Sequence, residues 1–110
     1  MTVTSIVVPT YNERENLERL TESIHEAFGS DYEVLVVDDN SPDDTSGEAR
    51  RLAKETDRNI RVIMRTEDPG LSQAVLEGFR NANGENIVVM DADLQHPPEK
   101  AREIGNRLSD

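Results

Sequence analysis

The chain contains no cysteine, which excludes disulfides and cysteine-ligated metal sites within it but does not by itself fix its compartment. Long apolar runs are also missing. The hydrophobic residues, 35% of the 110, fall into short stretches, and none approaches the ~20 consecutive apolar residues that span a bilayer. The N-terminus lacks the basic-then-apolar pattern of a signal peptide, so a cytoplasmic location is expected. Basic residues are scarce as well: 12 Lys and Arg stand against 23 Asp and Glu, for a formal charge of −11. Nucleic acid is therefore not an expected partner. Because the acids are spread along the whole chain, either an ordinary acidic protein or one hydrated for concentrated salt fits the composition, and a halophilic source is expected.

Four short runs rich in Val and Ile, near Ser5–Val8, Glu33–Val37, Ile60–Met64 and Asn86–Met90, read as strands buried on both faces. Helical spacing lies between them. Leu17, Leu20, Ile24, Ala27 and Phe28 share one face, with Asn12 and Glu15 as an expected N-terminal cap. Ala49, Leu52 and Ala53 mark a second helix, with Thr45 and Glu48 as a candidate capping box. Leu71, Ala74, Val75, Gly78, Phe79 and Ala82 mark a third, ending at Asn83-Gly84. A fourth is expected from Pro98, burying Ala101, Ile104 and Leu108. Alternating strands and helices with short connections predict one α/β domain over residues 1–110, a Rossmann-like parallel sheet with helices on both faces.

In such a sheet, ligands bind beyond the carboxyl ends of the strands. Four loops meet that criterion: Pro9 to Glu13, Asp38 to Pro42, Arg65-Thr66, and Asp91 to His96. In Asp91-Ala92-Asp93, carboxylates one residue apart project to the same side of an extended segment, and Gln95 continues the spacing with a neutral oxygen. Such a set suits Mg²⁺ or Mn²⁺ completed by substrate phosphates; alternatively, the carboxylates cap the following turn. Tyr11 can stack on a base or ribose. Glu13 can accept hydrogen bonds from a ligand or favour the start of a helix, and Asp38 and Asp39 can form Asx turns or read a nucleoside. Arg65 can meet a phosphate or pair with a carboxylate, and His96 can touch a ligand or cap a helix. A calcium loop at Asp39, Ser41 and Asp43 fails, because its sixth position is not Gly and its twelfth is Arg50. The glycine patterns of dinucleotide enzymes and P-loop hydrolases are missing.

Taken in order, Val8-Pro9-Thr10-Tyr11-Asn12-Glu13, Val36-Val37-Asp38-Asp39-Asn40-Ser41-Pro42-Asp43, Gly70-Leu71-Ser72 and Met90-Asp91-Ala92-Asp93-Leu94-Gln95-His96-Pro97-Pro98-Glu99 resemble the inverting family 2 glycosyltransferases. The last block is similar to the dolichyl-phosphate mannosyltransferase and polyprenyl-phosphate glucosyltransferase branch. The resemblance implies that Pro9, Tyr11 and Glu13 line a nucleotide-sugar pocket, that Asp39 with Asp38 contacts the base or ribose, and that Arg65 approaches the donor. It assigns Asp91 and Asp93 the catalytic role and, with Gln95, the metal and diphosphate. The implied donors are GDP-mannose or UDP-glucose, and the implied acceptor is a polyprenyl phosphate bound through a C-terminal part beyond residue 110, with the parent at the cytoplasmic face of a membrane. Many members carry Lys or Arg before the Gly-Leu pair; Asp68-Pro69 stand there in this chain.

Two other classes share features. A phosphatase of the haloacid-dehalogenase type also places Asp-x-Asp after a strand, but it wants Thr or Val where Gln95 stands. A non-catalytic nucleotide-binding or regulatory module clusters acids at strand ends and, if receiver-like, needs a later Lys that is not found.

Overall fold

The computed structural model describes residues 3–92. Strands β1 (Thr4–Thr10), β2 (Tyr32–Asp38), β3 (Ile60–Met64) and β4 (Asn86–Val89) alternate with helices α1 (Arg14–Phe28), α2 (Thr45–Glu55) and α3 (Leu71–Asn81). All strand pairs are parallel, in the order β3-β2-β1-β4. The expected α/β sheet is therefore observed. The expected fourth helix lies outside the described residues.

Period-two alternation divides the strands between two cores. Ile6, Val8, Val34, Val36 and Ile60 pack against Leu17, Leu20 and Ile24 of α1 and Ala49 and Leu52 of α2. Val7, Leu35 and Val37 face the other way, onto Ala74 of α3. From β1 the chain thus steps through α1 and α2 to β3 on one face, then returns through α3 across the other face to β4. That reversal opens the crevice between the ends of β1 and β4 where open α/β sheets bind ligands.

Helix α3 lies close on β1 because Gly78 has no side chain; a Cβ there would collide with the methyl groups of Val7. The expected apolar face of α3 is only partly buried. Ala74 and Gly78 are covered, whereas Leu71 is 65% and Phe79 46% exposed. Helix α3 also stops before Asn83-Gly84. The backbone N–H groups of those two residues instead donate to Glu33 Oε2 at 2.7 Å and Ser5 Oγ at 2.8 Å.

Neither expected capping arrangement forms. Glu13, not Asn12, occupies the N-cap of α1, and Asp44 that of α2, and neither makes a side-chain cap hydrogen bond. The start of α1 is satisfied from a distance. The N–H groups of Asn12, Glu13 and Arg14 donate to Ser41 Oγ, Thr45 Oγ1 and Asp43 Oδ2, at 2.9, 3.1 and 3.2 Å. Local sequence spacing could not reveal this, because the partners stand about 30 residues away, on the loop after β2 and at the first residue of α2. Glu48 turns to Arg51 instead of back to Thr45.

Candidate nucleotide-sugar site

Two adjoining pockets open at the carboxyl ends of the strands. One, of about 310 Å³, is lined by Pro9, Thr10, Tyr11, Asp39, Pro69, Gly70 and Leu71. The other, of about 380 Å³, is lined by Tyr11, Asp39, Asn40, Arg65, Thr66 and Pro69. Of the residues singled out in the sequence, Pro9, Tyr11, Asp39 and Arg65 come together here. Asp38 and Glu13 line neither pocket.

Alternation along the chain explains the separation of the neighbouring aspartates. Asp38, the last residue of β2, is 0% exposed. Its Oδ1 accepts from Thr10 Oγ1 at 2.7 Å and Ser41 Oγ at 2.5 Å, and its Oδ2 accepts from Ser41 N–H at 2.9 Å. Asp39 turns the other way, toward the pockets, where its Oδ2 accepts the N–H of Gly70 at 3.0 Å. Glu13 accepts from Asn16 Nδ2 at 2.8 Å within the first turn of α1.

Arg65 approaches Asp39 from the end of β3. Its Nε stands 3.8 Å from Asp39 Oδ1, an ion-pair distance too long for a hydrogen bond. Its Nη2 donates to the carbonyls of Glu67 and Asp68 at 3.0 and 2.9 Å. These bonds hold a turn in which Asp68 has φ 48° and Gly70 φ 142°, the latter a conformation that only glycine adopts readily. Pro69, Gly70 and Leu71 are not among the site residues expected from the sequence, although Gly70-Leu71-Ser72 is one of the blocks that carry the resemblance; the Pro-Gly pair marks a turn but not where that turn lands.

The pair leaves two polar atoms unanswered. Asp39 Oδ1 and Arg65 Nη1 are both buried and lack a hydrogen-bond partner. Such atoms are costly unless something pairs with them, and here an acceptor and a donor sit beside an open pocket. A flat ligand edge carrying one donor and one acceptor, as every nucleobase does, matches that demand.

Asp91 is exposed just beyond β4. The register Val7↔Val89 and the hydrogen bond from Met90 N–H to Val7 O at 3.0 Å carry it to the level of Pro9, on the same crest as the pockets. Its carboxylate is a hard oxygen donor of the kind that Mg²⁺ and Mn²⁺ take, which fits the metal expected there. Its expected co-ligands Asp93 and Gln95, and His96, lie outside the described residues. Among the described residues no group of three or more His, Asp or Glu is placed to hold a metal.

A parallel sheet with pockets at the carboxyl ends of β1, β2 and β3, an exposed tyrosine at their edge and a partly buried carboxylate–guanidinium pair defines an α/β protein with a candidate ligand site on its crest. Residues 5–110 match the family described as Glycosyl transferase family 2, and the chain belongs to that family. It is 54% identical over 96 residues to a dolichol-phosphate mannosyltransferase of Pyrococcus furiosus, covering 86% of this chain and 27% of that one. With the protein of the same description from Saccharomyces cerevisiae the identity is 42% over 110 residues, covering 96% and 41%. Among solved structures, a mannosyltransferase from Pyrobaculum calidifontis in complex with GDP-Man and Mn²⁺ superposes with a TM-score of 0.75 at 35% identity, covering 82% of this chain and 27% of that one. A Mycobacterium tuberculosis glucosyl-3-phosphoglycerate synthase, TM-score 0.74 at 24% identity over 98% of this chain and 40% of its own, shares the fold. The chain thus spans well under half the length of the relatives it matches.

Proposed function

We propose that residues 1–110 form the nucleotide-sugar-binding domain of an inverting glycosyltransferase that moves mannose or glucose from a nucleotide donor to a dolichyl or polyprenyl phosphate. The observation that carries this reading is that Asp39 Oδ1 and Arg65 Nη1 are buried and unanswered in two residues that line one pocket together with Tyr11. In this reading Tyr11 stacks on the base, Asp39 and Arg65 meet its polar edge, and Pro9 shapes the wall. Glu13 and Asp38 support these residues without touching the donor. The relatives named above favour GDP-mannose over UDP-glucose as the donor.

Asp91, with Asp93 and Gln95, would hold a divalent cation, Mn²⁺ in keeping with the mannosyltransferase structure. When bound, the cation would offset charge on the departing diphosphate. In the transfer, an acceptor phosphate oxygen forms a bond to the anomeric carbon as the bond to the donor diphosphate breaks on the opposite side, so the configuration inverts. An ionised phosphate brings its own nucleophile, and no strong general base is required of the chain. An acceptor of this class is a membrane lipid, which places the reaction at a membrane surface, the cytoplasmic face in this reading. Among the described residues no helix is long and apolar enough to cross one.

Calorimetric titration with GDP-mannose and UDP-glucose, each with and without Mn²⁺, tests the reading. Saturable binding that Mn²⁺ strengthens and Asp39→Ala abolishes is the expected result. A folded chain that binds neither donor under either condition overturns it.

A further inference from the structure

We infer that Asp38 and Ser41 act as a positioning couple that fixes Tyr11 over the nucleotide pocket, an inference that rests on the reading of that pocket given above. Tyr11 is 58% exposed, so burial does little to hold its ring. The residues on either side of it are fastened instead. Before it, the hydroxyl of Thr10 donates to Asp38 Oδ1, and the carbonyl of Thr10 accepts the N–H of Asp39 at 3.2 Å. After it, the N–H of Asn12 donates to Ser41 Oγ at 2.9 Å.

Proton counting fixes the direction of this chain of bonds. A backbone N–H can only donate, so Ser41 Oγ is the acceptor toward Asn12, and its single proton must go to Asp38 Oδ1, 2.5 Å away. Asp38 thus accepts through both oxygens, and its Oδ2 takes the N–H of Ser41, which locks the serine in place. Thr10 and Ser41 thus hang from one fully buried carboxylate, and the backbone between Thr10 and Asn12 is clamped at both ends. Asn12 completes the reversal with φ 58°, a conformation asparagine tolerates better than most residues. An aromatic lip held in this way does not have to be ordered when ligand arrives, which is how preorganisation raises affinity.

The test is a double-mutant cycle between Ser41→Ala and Tyr11→Ala, read by titration with GDP in the presence of Mn²⁺. Ser41→Ala is expected to raise the Kd roughly fivefold, the scale of one hydrogen bond, and Ser41→Thr to restore it. In the Tyr11→Ala background, Ser41→Ala is expected to change Kd by less than about twofold, because the group it positions is gone. The same loss in both backgrounds overturns the inference and leaves Ser41 a merely structural residue. If the folded parent chain binds no nucleotide, the proposed function fails instead, and hydrogen exchange then judges the clamp. Faster exchange at the Asn12 amide in Ser41→Ala, with the amides of Val7 and Val8 unchanged, supports it; unchanged exchange at Asn12 overturns it.

Discussion

Asp39 and Arg65 face each other across the crest of the sheet, 3.8 Å apart at Oδ1 and Nε, and each keeps one buried polar atom without a partner. The other side of each residue is occupied: Asp39 holds the N–H of Gly70, and Arg65 holds the carbonyls of Glu67 and Asp68. The pair therefore joins the loop after β2 to the turn before α3 and leaves one acceptor and one donor without a hydrogen bond. Lysine cannot replace Arg65, since an ammonium has no planar fork to reach two carbonyls and still present a donor. Arg65→Lys is expected to weaken nucleotide binding roughly tenfold in titration while leaving the overall fold intact by circular dichroism. Unaltered affinity would remove Arg65 from the site.

Asp91 stands apart from that pair, at the end of β4, and its expected role concerns the phosphates. Asp91→Asn keeps the shape but loses the charge that attracts a divalent cation. The Mn²⁺-dependent part of donor binding should disappear in this variant. Binding of a nucleoside without phosphates should stay within about twofold of the unsubstituted chain, since the proposed function gives that contact to Tyr11, Asp39 and Arg65. Equal loss for nucleoside and donor would place Asp91 in the base pocket and contradict the division of labour.

The fold was legible because period-two and helical spacing are written in neighbouring residues, and each expected strand appears where Val and Ile cluster. The caps were not legible. Asn12-x-x-Glu15 and Thr45-x-x-Glu48 have capping spacing, yet Ser41 and Asp43 of the loop after β2 and Thr45 at the start of α2 reach across and satisfy α1 directly. The candidate site was legible to the level of the loops that line the pockets. Which of two adjacent aspartates faces the pocket depends on the phase of β2, and that phase places Asp38 inside and Asp39 at the pocket. Gly70-Leu71 stands in one of the blocks that carry the resemblance, yet spacing alone does not assign Pro69 and Gly70 to the pocket, because only the tertiary contact between Gly70 N–H and Asp39 brings their turn there.

Gly78 sets two effects of opposite sign against each other. Alanine is the better helix former by about 1 kcal/mol, so Gly78→Ala should stabilise an isolated α3. In the folded chain its Cβ meets the side chain of Val7, which is wholly buried in the second core. Overpacking of this kind costs about 1–3 kcal/mol and should win. The expected result is a lower denaturation midpoint in urea, largely recovered by adding Val7→Ala. A stabilised Gly78→Ala variant would mean that α3 can lift away from β1 without cost.

At the opposite end of the sheet, Glu33 is only 3% exposed. Burial alone would raise its carboxyl, but hydrogen bonds from Ser5 Oγ and the Asn83 N–H, with the charge and hydrogen bond of Arg61, hold it below the usual carboxylate range. A carboxylate depressed in the folded state contributes stability above its unfolded pKa, and that contribution is lost as pH falls through the folded value. The melting temperature should therefore fall from about pH 5 downward in the parent. Glu33→Gln should begin from a lower melting temperature at neutral pH and show a shallower acid slope. Parallel slopes in the two proteins would assign the acid sensitivity to other carboxylates.

The acid surplus can be tested in the same way. With a formal charge of −11 over 110 residues, the folded chain repels itself, and salt relieves that repulsion by screening. Screening is largely complete by about 0.5 M, since the Debye length has shrunk from about 8 Å at 0.15 M toward about 3 Å at 1 M. An ordinary acidic domain should therefore gain melting temperature up to that point and then level off in KCl. A chain adapted to concentrated salt should keep gaining stability to about 2 M and beyond, because excess surface carboxylates hold hydrated cations against the folded surface and not only balance charge. We expect the continuing rise. A plateau below about 0.5 M would reduce the acidity to simple self-repulsion and remove the case for a halophilic origin.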